Sequence, residues 1–466
     1  MRAVRRRASN PGHSCPRHPH TPCAPAHIAD PAPILGGSDA TLALGKWHQG
    51  QTPPYLPNRR GFDEFFGLPF SVDDGVAYLS SCGNHSAGSS AAAAAAAATE
   101  GELCAERARL RLGPQLPLPL LRQLGRNSST IVEQPTDVRL LTSRLRDYAK
   151  DFVARKAASR WFVYFAFGHV HTLSAGITPD RQYAGCEFAG TTPRAFEDAL
   201  AEVDASVGGL LEHISALGLA RRTLTLFTSD NGPSVRWGLG AGSPGIFTGL
   251  AASYQNGTRY ENTAKGSTWE GGVRMPAFAH WPGTVPPGSH SYTMVSTLDV
   301  LPSLVHIAGG APPTGRVLDG TLSLADAILS ASGSAPTRHA FLPLWNEPAY
   351  ANASHRIFAG RLGRFKAHWV TSPGLQANAR EGVVPPEWTH SPPLVFDVEA
   401  DPAEQYPLTS PPPALLAELA AAKADAEAHL TPTSIPLDWG YEHALCCGVG
   451  CTPPCHCHCT DVPLPP

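Results

Sequence analysis

The run WFVYFAF, Trp161 to Phe167, constrains this chain more than any other stretch. An apolar run without polar alternation suits a strand covered on both faces, and such a strand needs helices packed above and below it. The flanking sequence supplies them. Upstream, Leu141, Leu145, Tyr148 and Phe152 recur at spacings of 4, 3 and 4, the period of an amphipathic helix. Downstream, Phe196, Leu200, Val203, Val207, Leu210, Ile214 and Leu217 form a second stripe, and Gly218 can end that helix. LTLF, Leu224 to Phe227, then reads as another buried strand. Helix, strand, helix, strand with short connections predicts an α/β domain with a parallel sheet covered by helices. Ligands on such sheets sit just beyond the carboxyl ends of the strands.

The residues at those ends are polar. TSDNGP follows LTLF and places Asp230 and Asn231 there. A carboxylate beside an amide carbonyl offers two hard oxygens suited to Ca²⁺ or Mg²⁺, and an Asp-Asn-Gly turn is the plain alternative. GHVH follows WFVYFAF, with His169 and His171; one histidine is usually structural, whereas a pair at a strand end opens a functional reading. In LGKWHQG, Lys46 and His48 stand two apart, which in an extended chain puts them on one side. The flanking glycines would let another group approach closely, or the stretch is a solvated turn. Lys265 opens KGSTWEGGVR, a glycine-rich loop able to meet an oxyanion, with spacing unlike that of a nucleotide phosphate loop. AGSPG around Ser243 lacks the first glycine and the preceding strand of a nucleophile elbow, which argues against a serine hydrolase.

Composition narrows the partners. A net charge of −3 gives no global attraction to nucleic acid or anionic membrane, so any anion site is local. No apolar run is long enough to span a membrane. The 466 residues suffice for two or three domains. Residues 1–35, rich in Arg, Pro and His, are expected to lie outside the fold, and their basic start has no apolar segment behind it to make a signal peptide. The stretch Ser80 to Asn127, with alanines at every position from 91 to 98, reads as a surface insertion that Cys82 and Cys104 could close as a loop. Of the 11 cysteines, six crowd into CCGVGCTPPCHCHC, Cys446 to Cys459, where the spacing favours disulfides over a zinc site. Sequons at Asn84, Asn127, Asn256 and Asn352 fit the same oxidising, glycosylating compartment.

In order, LGKWHQG, RRGFDEFFGLPFS, FGHVH, FTSDNGP, KGSTWEGGVRMPAFAHWPG, STLDVLPSLVHIAGG, FDVEADPAEQYPL and the cysteine-rich tail resemble the sulfatase family, in its arylsulfatase form, from about Leu35 to Cys459. The resemblance implies an alkaline-phosphatase-like mixed sheet flanked by helices over about 36–337. It also implies a smaller domain over 338–466 with an antiparallel sheet. It implies hydrolysis of sulfate esters of a small molecule, glycan or lipid, in a lysosomal or extracellular setting, with oligomers possible. By that resemblance Lys46 holds the sulfated nucleophile and His48 is the base that breaks down the sulfo-enzyme. Ser71 and Lys265 bind sulfate oxygens, and His171 protonates the leaving oxygen. Asp230 and Asn231 supply part of a calcium site, with Mg²⁺ possible, and His169 supports His171.

The family also carries an early aspartate pair and a C-x-P-S-R motif whose cysteine becomes a formylglycine nucleophile. Neither stands upstream of Lys46. CAPAH at Cys23 has His27 in place of the arginine, and the adjacent Asp73 and Asp74 come after Ser71, in the wrong order for that metal role. The expectation is a catalytically incomplete sulfatase, or else an inactive sulfatase-like glycoprotein that binds sulfated ligands.

Overall fold

The computed structural model describes residues 39–51, 53–80, 82, 116–171, 183–234, 241–249, 263–313, 315, 317–330, 335–345, 356–372 and 387–429. The cysteine-rich tail, Cys23, Cys104 and the sequons at Asn84, Asn256 and Asn352 lie outside these residues.

The first strand, β1 (Ala40–Lys46), runs parallel to β2 (Glu64–Leu68), and β3 (Gly75–Val76) pairs with β4 (Leu116–Pro117) beside the main sheet. Next come β5 (Leu120–Leu124), β6 (Ser128–Glu133), helix α1 (Leu141–Arg155) and β7 (Trp161–Ala166). The central sheet has the order β6-β5-β2-β1-β7. Its β1–β2 and β1–β7 pairs are parallel and its β2–β5 and β5–β6 pairs antiparallel, so the sheet is mixed.

Alternation along β1 divides the core. Leu42 and Leu44 pack with Leu141, Leu145 and Phe152 of α1, while Ala43 faces Trp47, Phe62 and Phe65 on the other side. Each of those large α1 side chains contributes roughly 1.5–3 kcal/mol by leaving water. Helix α2 (Ala195–Ala216) packs beside α1 and ends as its sequence predicts. Gly218 takes φ +70°, its N–H donates to the Ser215 carbonyl, and the Leu219 N–H donates to Ile214.

The glycines beside Lys46 serve the sheet itself. A Cβ at Gly45 would lie 1.7 Å from the Ala166 oxygen, and one at Gly67 would lie 2.1 Å from the Gly45 oxygen. Three adjacent strands approach too closely at Gly45 for a side chain, and a Cβ at Gly50 would lie 2.6 Å from the Tyr55 Cβ, which corrects the expectation that the glycines flanking Lys46 and His48 admit a ligand. Gly67→Ala should therefore cost about 3 kcal/mol, the upper end for overpacking, because backbone and not a flexible side chain must move. An unchanged urea midpoint would show that the strands can part cheaply.

Strand β8 (Thr225–Thr228) differs from expectation. Among the described residues it pairs only with β9 (Ala277–His280), antiparallel, in a separate two-stranded sheet. Nor is β7 covered on both faces: its side chains are half-buried and Tyr164 is 46 % exposed. The expected parallel sheet is formed by β7 with β1 and by β1 with β2, while no described residue pairs with the second edge of β7 or of β8.

The expected insertion is also shorter at its end. Residues 120–124 form β5, an interior strand with Leu120 and Leu121 fully buried. Pro117 and Pro119 precede that strand, where a missing N–H costs no ladder bond. Cys82 pairs with Cys186, 104 residues on and 5.3 Å away between Cα atoms, instead of with Cys104. The bond ties the segment after β3 to the one after His171.

Three short helices follow: α3 (Glu270–Val273), α4 (Val300–Ile307) and α5 (Ser323–Leu329). The C-terminal part is an antiparallel sheet of β10 (Leu342–Leu344), β11 (Ala359–Leu362), β12 (Phe365–Thr371) and β13 (Trp388–Asp397). Helix α6 (Pro413–His429) covers it through Leu415 and Leu419 against Ala367 and Val395. A buried ionic cluster joins this sheet to α3. The Lys366 Nζ lies 2.9 Å from Glu270 Oε1 and 3.1 Å from Glu404 Oε1, and His368 Nε2 lies 2.8 Å from Glu404 Oε1. Lys366, His368 and Glu404 are fully buried.

Candidate active site

At the carboxyl end of β1, Lys46 is the last strand residue and His48 follows Trp47 around a turn. The Trp47 and His48 N–H groups still donate to the Leu68 and Pro69 carbonyls, extending the β1–β2 pairing. His48, however, takes φ +50°, so the chain is not extended there and the same-side argument for Lys46 and His48 does not apply. Both nevertheless face one cavity of about 1840 Å³, together with His171, Asp230, Asn231 and Lys265.

The loop carrying Lys265 is held against Asp230–Asn231 by backbone contact. The Gly232 N–H donates to the Gly272 carbonyl at 3.1 Å, and the Lys265 N–H donates to the Pro233 carbonyl at 3.1 Å. A Cβ at Gly232 would sit 1.9 Å from the Gly271 oxygen, which is why glycines recur in both TSDNGP and KGSTWEGGVR. The ionic cluster secures the far end of the loop through Glu270, whose N–H donates to Glu404 Oε2 at 2.6 Å.

Ser71 does not line the cavity. It is buried, its N–H donates to Asp74 Oδ2 at 3.1 Å, and its Oγ has no hydrogen-bond partner among the described residues. Asp74 then lies 3.3 Å from His48 Nε2, and Asp73 Oδ1 lies 3.7 Å from His171 Nδ1. These two carboxylates are the site residues that sequence reasoning missed. Their adjacency to Ser71 in LPFSVDDG was the available signal, set aside because only a metal role had been considered.

Two of these groups have shifted protonation. Loss of water around His48 and then the Lys46 ammonium lower its pKa, outweighing the attraction of Asp74 and Asp73. Burial, followed by the like charge of Asp73, raises that of Asp74 despite His48 and the Ser71 N–H. His48 is therefore a neutral imidazole near pH 7; its Nε2 faces the Asp74 carboxylate at 3.3 Å as the N–H, which leaves Nδ1 able to accept a proton while Asp74 stabilises the resulting charge. His169 plays a supporting part: it is buried, bonds Glu202 Oε2 at 2.9 Å and stacks on Tyr183 at 4.2 Å.

The donor set for a divalent cation is partial. Asp230 Oδ1 already accepts the Asn231 N–H at 2.9 Å, leaving Oδ2 and the Asn231 carbonyl oxygen as hard donors. Calcium takes roughly 6–8 oxygens. Asp73 and Asp74 are engaged with imidazoles, and the described residues contain no cluster of three or more His, Cys, Asp or Glu arranged for a metal. These residues alone do not fit a complete calcium site.

Residues 40–311 match the Sulfatase family, and residues 342–459 match the C-terminal region of aryl-sulfatase. The chain is similar to arylsulfatase A of Homo sapiens, at 32% identity over 440 residues, spanning 90% of this chain and 76% of that protein. It is 34% identical to arylsulfatase G of Canis lupus familiaris over 370 residues, 79% of this chain and 63% of that one. In fold it is similar to the crystal structure of PsFucS1 sulfatase from Pseudoalteromonas sp., with a TM-score of 0.63, 22% identity, and coverage of 85% of this chain and 71% of that chain.

Proposed function

The chain belongs to the sulfatase family, and from that premise we propose that its strand-end cleft is a sulfate-ester site of the arylsulfatase type. The observation that carries this reading is the common cavity of Lys46, His48, His171 and Lys265. Sulfuryl transfer spreads negative charge over oxygens, and fixed ammonium groups and ring N–H donors stabilise that charge most where water is scarce. In this reading Lys46 Nζ and Lys265 Nζ hold sulfate oxygens and His171 faces the leaving oxygen as proton donor. His48 Nδ1 accepts a proton, and Asp74, beside Nε2, stabilises the imidazolium. Ser71 is buried outside the cavity lining, so a local rearrangement would be needed to bring its Oγ to a sulfate.

The hydrolytic step is incomplete in these 466 residues. C-x-P-S-R does not occur in them, so no covalent nucleophile is assigned, and no step is routed through a metal beside Asp230 and Asn231. The second reading, an inactive glycoprotein that binds sulfated small molecules, glycans or lipids, keeps the same cleft and the same cations. We place the chain in the secretory pathway, in a lysosomal or extracellular compartment. The Cys82–Cys186 disulfide and the exposed Asn127 sequon support that placement, and no described helix is long and apolar enough to cross a membrane.

Calorimetric titration with 4-nitrophenyl sulfate tests the site. Lys46→Ala and Lys265→Ala should each weaken binding roughly 10-fold, the scale of one charge-assisted hydrogen bond, and added salt should weaken it further. Equal affinity in both variants would place the anion elsewhere. Acidification should strengthen binding: as pH falls below 6.5, His48 gains a proton late and Asp74 gains one early, and both steps add positive charge to the cleft. An affinity that falls as the pH is lowered from 7 would contradict the placing of His48 and Asp74 in the site.

A further inference from the structure

Asp73 and Asp74 are neighbours in the chain, and each meets a different histidine. Asp74 Oδ2 lies 3.3 Å from His48 Nε2, and Asp73 Oδ1 lies 3.7 Å from His171 Nδ1. The turn that carries them is closed twice. The Asp74 N–H donates to the Ser71 carbonyl at 3.1 Å, and the Ser71 N–H donates to Asp74 Oδ2 at 3.1 Å. His171 sits on a second turn, where its own N–H donates to the Gly168 carbonyl at 3.1 Å.

Tyr183 ties the two turns together. It is fully buried, and its ring stacks on His169. A Cβ at Gly168 would lie 2.7 Å from the Tyr183 hydroxyl and 3.2 Å from Val72 Cγ1. Gly168, Tyr183 and the residue before Asp73 therefore meet at one point. Burial, then the charges of Glu202 and Asp73, keeps that phenol protonated. The Cys82–Cys186 disulfide adds a covalent tie between the segment after Asp73 and the one after Tyr183. Carboxylate and ring are thus held by two segments that cannot easily part.

The arrangement is one-sided. His171 lines the cavity, and Asp73 is outside its described lining. The two nitrogens of an imidazole point in divergent directions, so a carboxylate behind Nδ1 turns Nε2 toward the cleft. We propose that Asp73 is the positioning residue of His171: its carboxylate holds the ring proton on Nδ1 and leaves Nε2 facing the ester oxygen. The role at the ester oxygen rests on the sulfate-ester reading of the cleft, whereas the pairing itself does not. A separation of 3.7 Å is longer than a hydrogen bond, and such contacts in ligand-free sites tighten when substrate arrives. A second proton on the ring sits at Nε2, where it can pass to an oxygen. The ring then returns to neutral with Nδ1–H retained, and Asp73 stays a carboxylate throughout. The neighbouring base stands in the same field. After loss of water and the Lys46 ammonium, the charge of His171 also lowers the His48 pKa. A proton on one ring therefore opposes a proton on the other, which divides acid from base.

Nitrogen-15 NMR of the full chain labelled at histidine reads the tautomer, with the His171 signal identified by its loss in His171→Gln. At pH 9, without ligand, His171 should be the Nδ1–H form; a predominant Nε2–H form would overturn the proposal with no further variant. Asp73→Ala should lower the ratio of Nδ1–H to Nε2–H at least about tenfold, the equilibrium equivalent of one hydrogen bond to a charged group. Asp74→Ala should leave that ratio unchanged. A ratio unmoved by Asp73→Ala, or moved equally by Asp74→Ala, would overturn the assignment. At pH 5, 4-nitrophenyl sulfate should shift the His171 Nε2 signal and spare Nδ1, and a shift confined to Nδ1 would overturn the orientation. Silence of both nitrogens with the Nδ1–H tautomer intact would end the sulfate-ester reading while upholding the pairing.

Discussion

The purified 466-residue chain is expected to release no sulfate from 4-nitrophenyl sulfate, with or without calcium, above the rate of buffer. Hydrolysis of a sulfate ester by this family's chemistry needs a positioned covalent nucleophile, which splits one difficult step into two easier ones. Among the described residues that line the cleft, the cations and imidazoles bind and move protons, and none carries the C-x-P-S-R motif that supplies that nucleophile. Cys23, in CAPAH, has neither the motif for conversion nor the arginine that would anchor it. Binding and turnover should therefore separate, with micromolar-to-millimolar sulfate-ester affinity surviving and kcat absent. Turnover that disappears on Cys23→Ala would contradict this and identify an unusual front end. Turnover that survives Cys23→Ala but is lost on Lys46→Ala would show a different nucleophile in the same cleft.

The second large effect concerns the ionic cluster. Lys366→Met should destabilise the fold by roughly 3–5 kcal/mol, because it leaves the Glu270 and Glu404 carboxylates buried against each other without their shared cation. Adding Glu404→Gln should recover part of that loss, as expected for residues in one network. Burial raises the Glu404 carboxyl, but Lys366 and His368 together outweigh it and hold the pKa down to about 2. A depressed carboxylate contributes stability that is full above its unfolded value near 4.5 and is lost as pH falls toward 2. His368 is lowered by burial, against the pull of Glu404, so below pH 6.5 the unfolded chain takes up a proton that the folded one refuses. Both groups act in the same direction: the attachment of the C-terminal sheet to α3 weakens with acid. Urea unfolding from pH 7 to 4 measures this, and a midpoint that rises on acidification would reverse the assignment. Lys366→Met should also loosen the Lys265 loop through Glu270, so its sulfate-ester affinity should fall even where it remains folded.

Much of the fold was legible because periodicity reports burial directly. The 4-3-4 spacing from Leu141 marked α1, and Gly218 marked the end of α2, since only residue type and local backbone decide those features. Strand partners were not legible. WFVYFAF and LTLF are apolar enough for adjacent central strands, yet adjacency depends on what lies between them, and nothing within either run encodes that. Cys82 looked like a partner for Cys104 because sequence proximity favours short loops, whereas the fold brings Cys186 to it from 104 residues away.

The candidate site was read in a similar way. Lys46, His48, His171, Asp230, Asn231 and Lys265 were singled out one by one at strand ends and in glycine-rich loops, and the structure gathers all six around one cavity. Ser71 was placed with them by resemblance and is buried outside the cavity lining. The partners of the histidines escaped notice, since an Asp pair has many uses and only the fold sets Asp74 beside His48 and Asp73 beside His171. The buried salt cluster was invisible for the same reason: Glu270, Lys366, His368 and Glu404 meet only through the packing of α3 on the C-terminal sheet.

The central claim is that this cleft takes a sulfate group on Lys46 and Lys265. Anomalous diffraction from crystals soaked in sodium selenate, a heavier analogue of sulfate, tests it most directly. The account predicts a selenium peak within hydrogen-bond distance of Lys46 Nζ or Lys265 Nζ, beside His48, that disappears in the Lys46→Ala, Lys265→Ala double variant. A peak confined to surface arginines, or one unaffected by that variant, would contradict it.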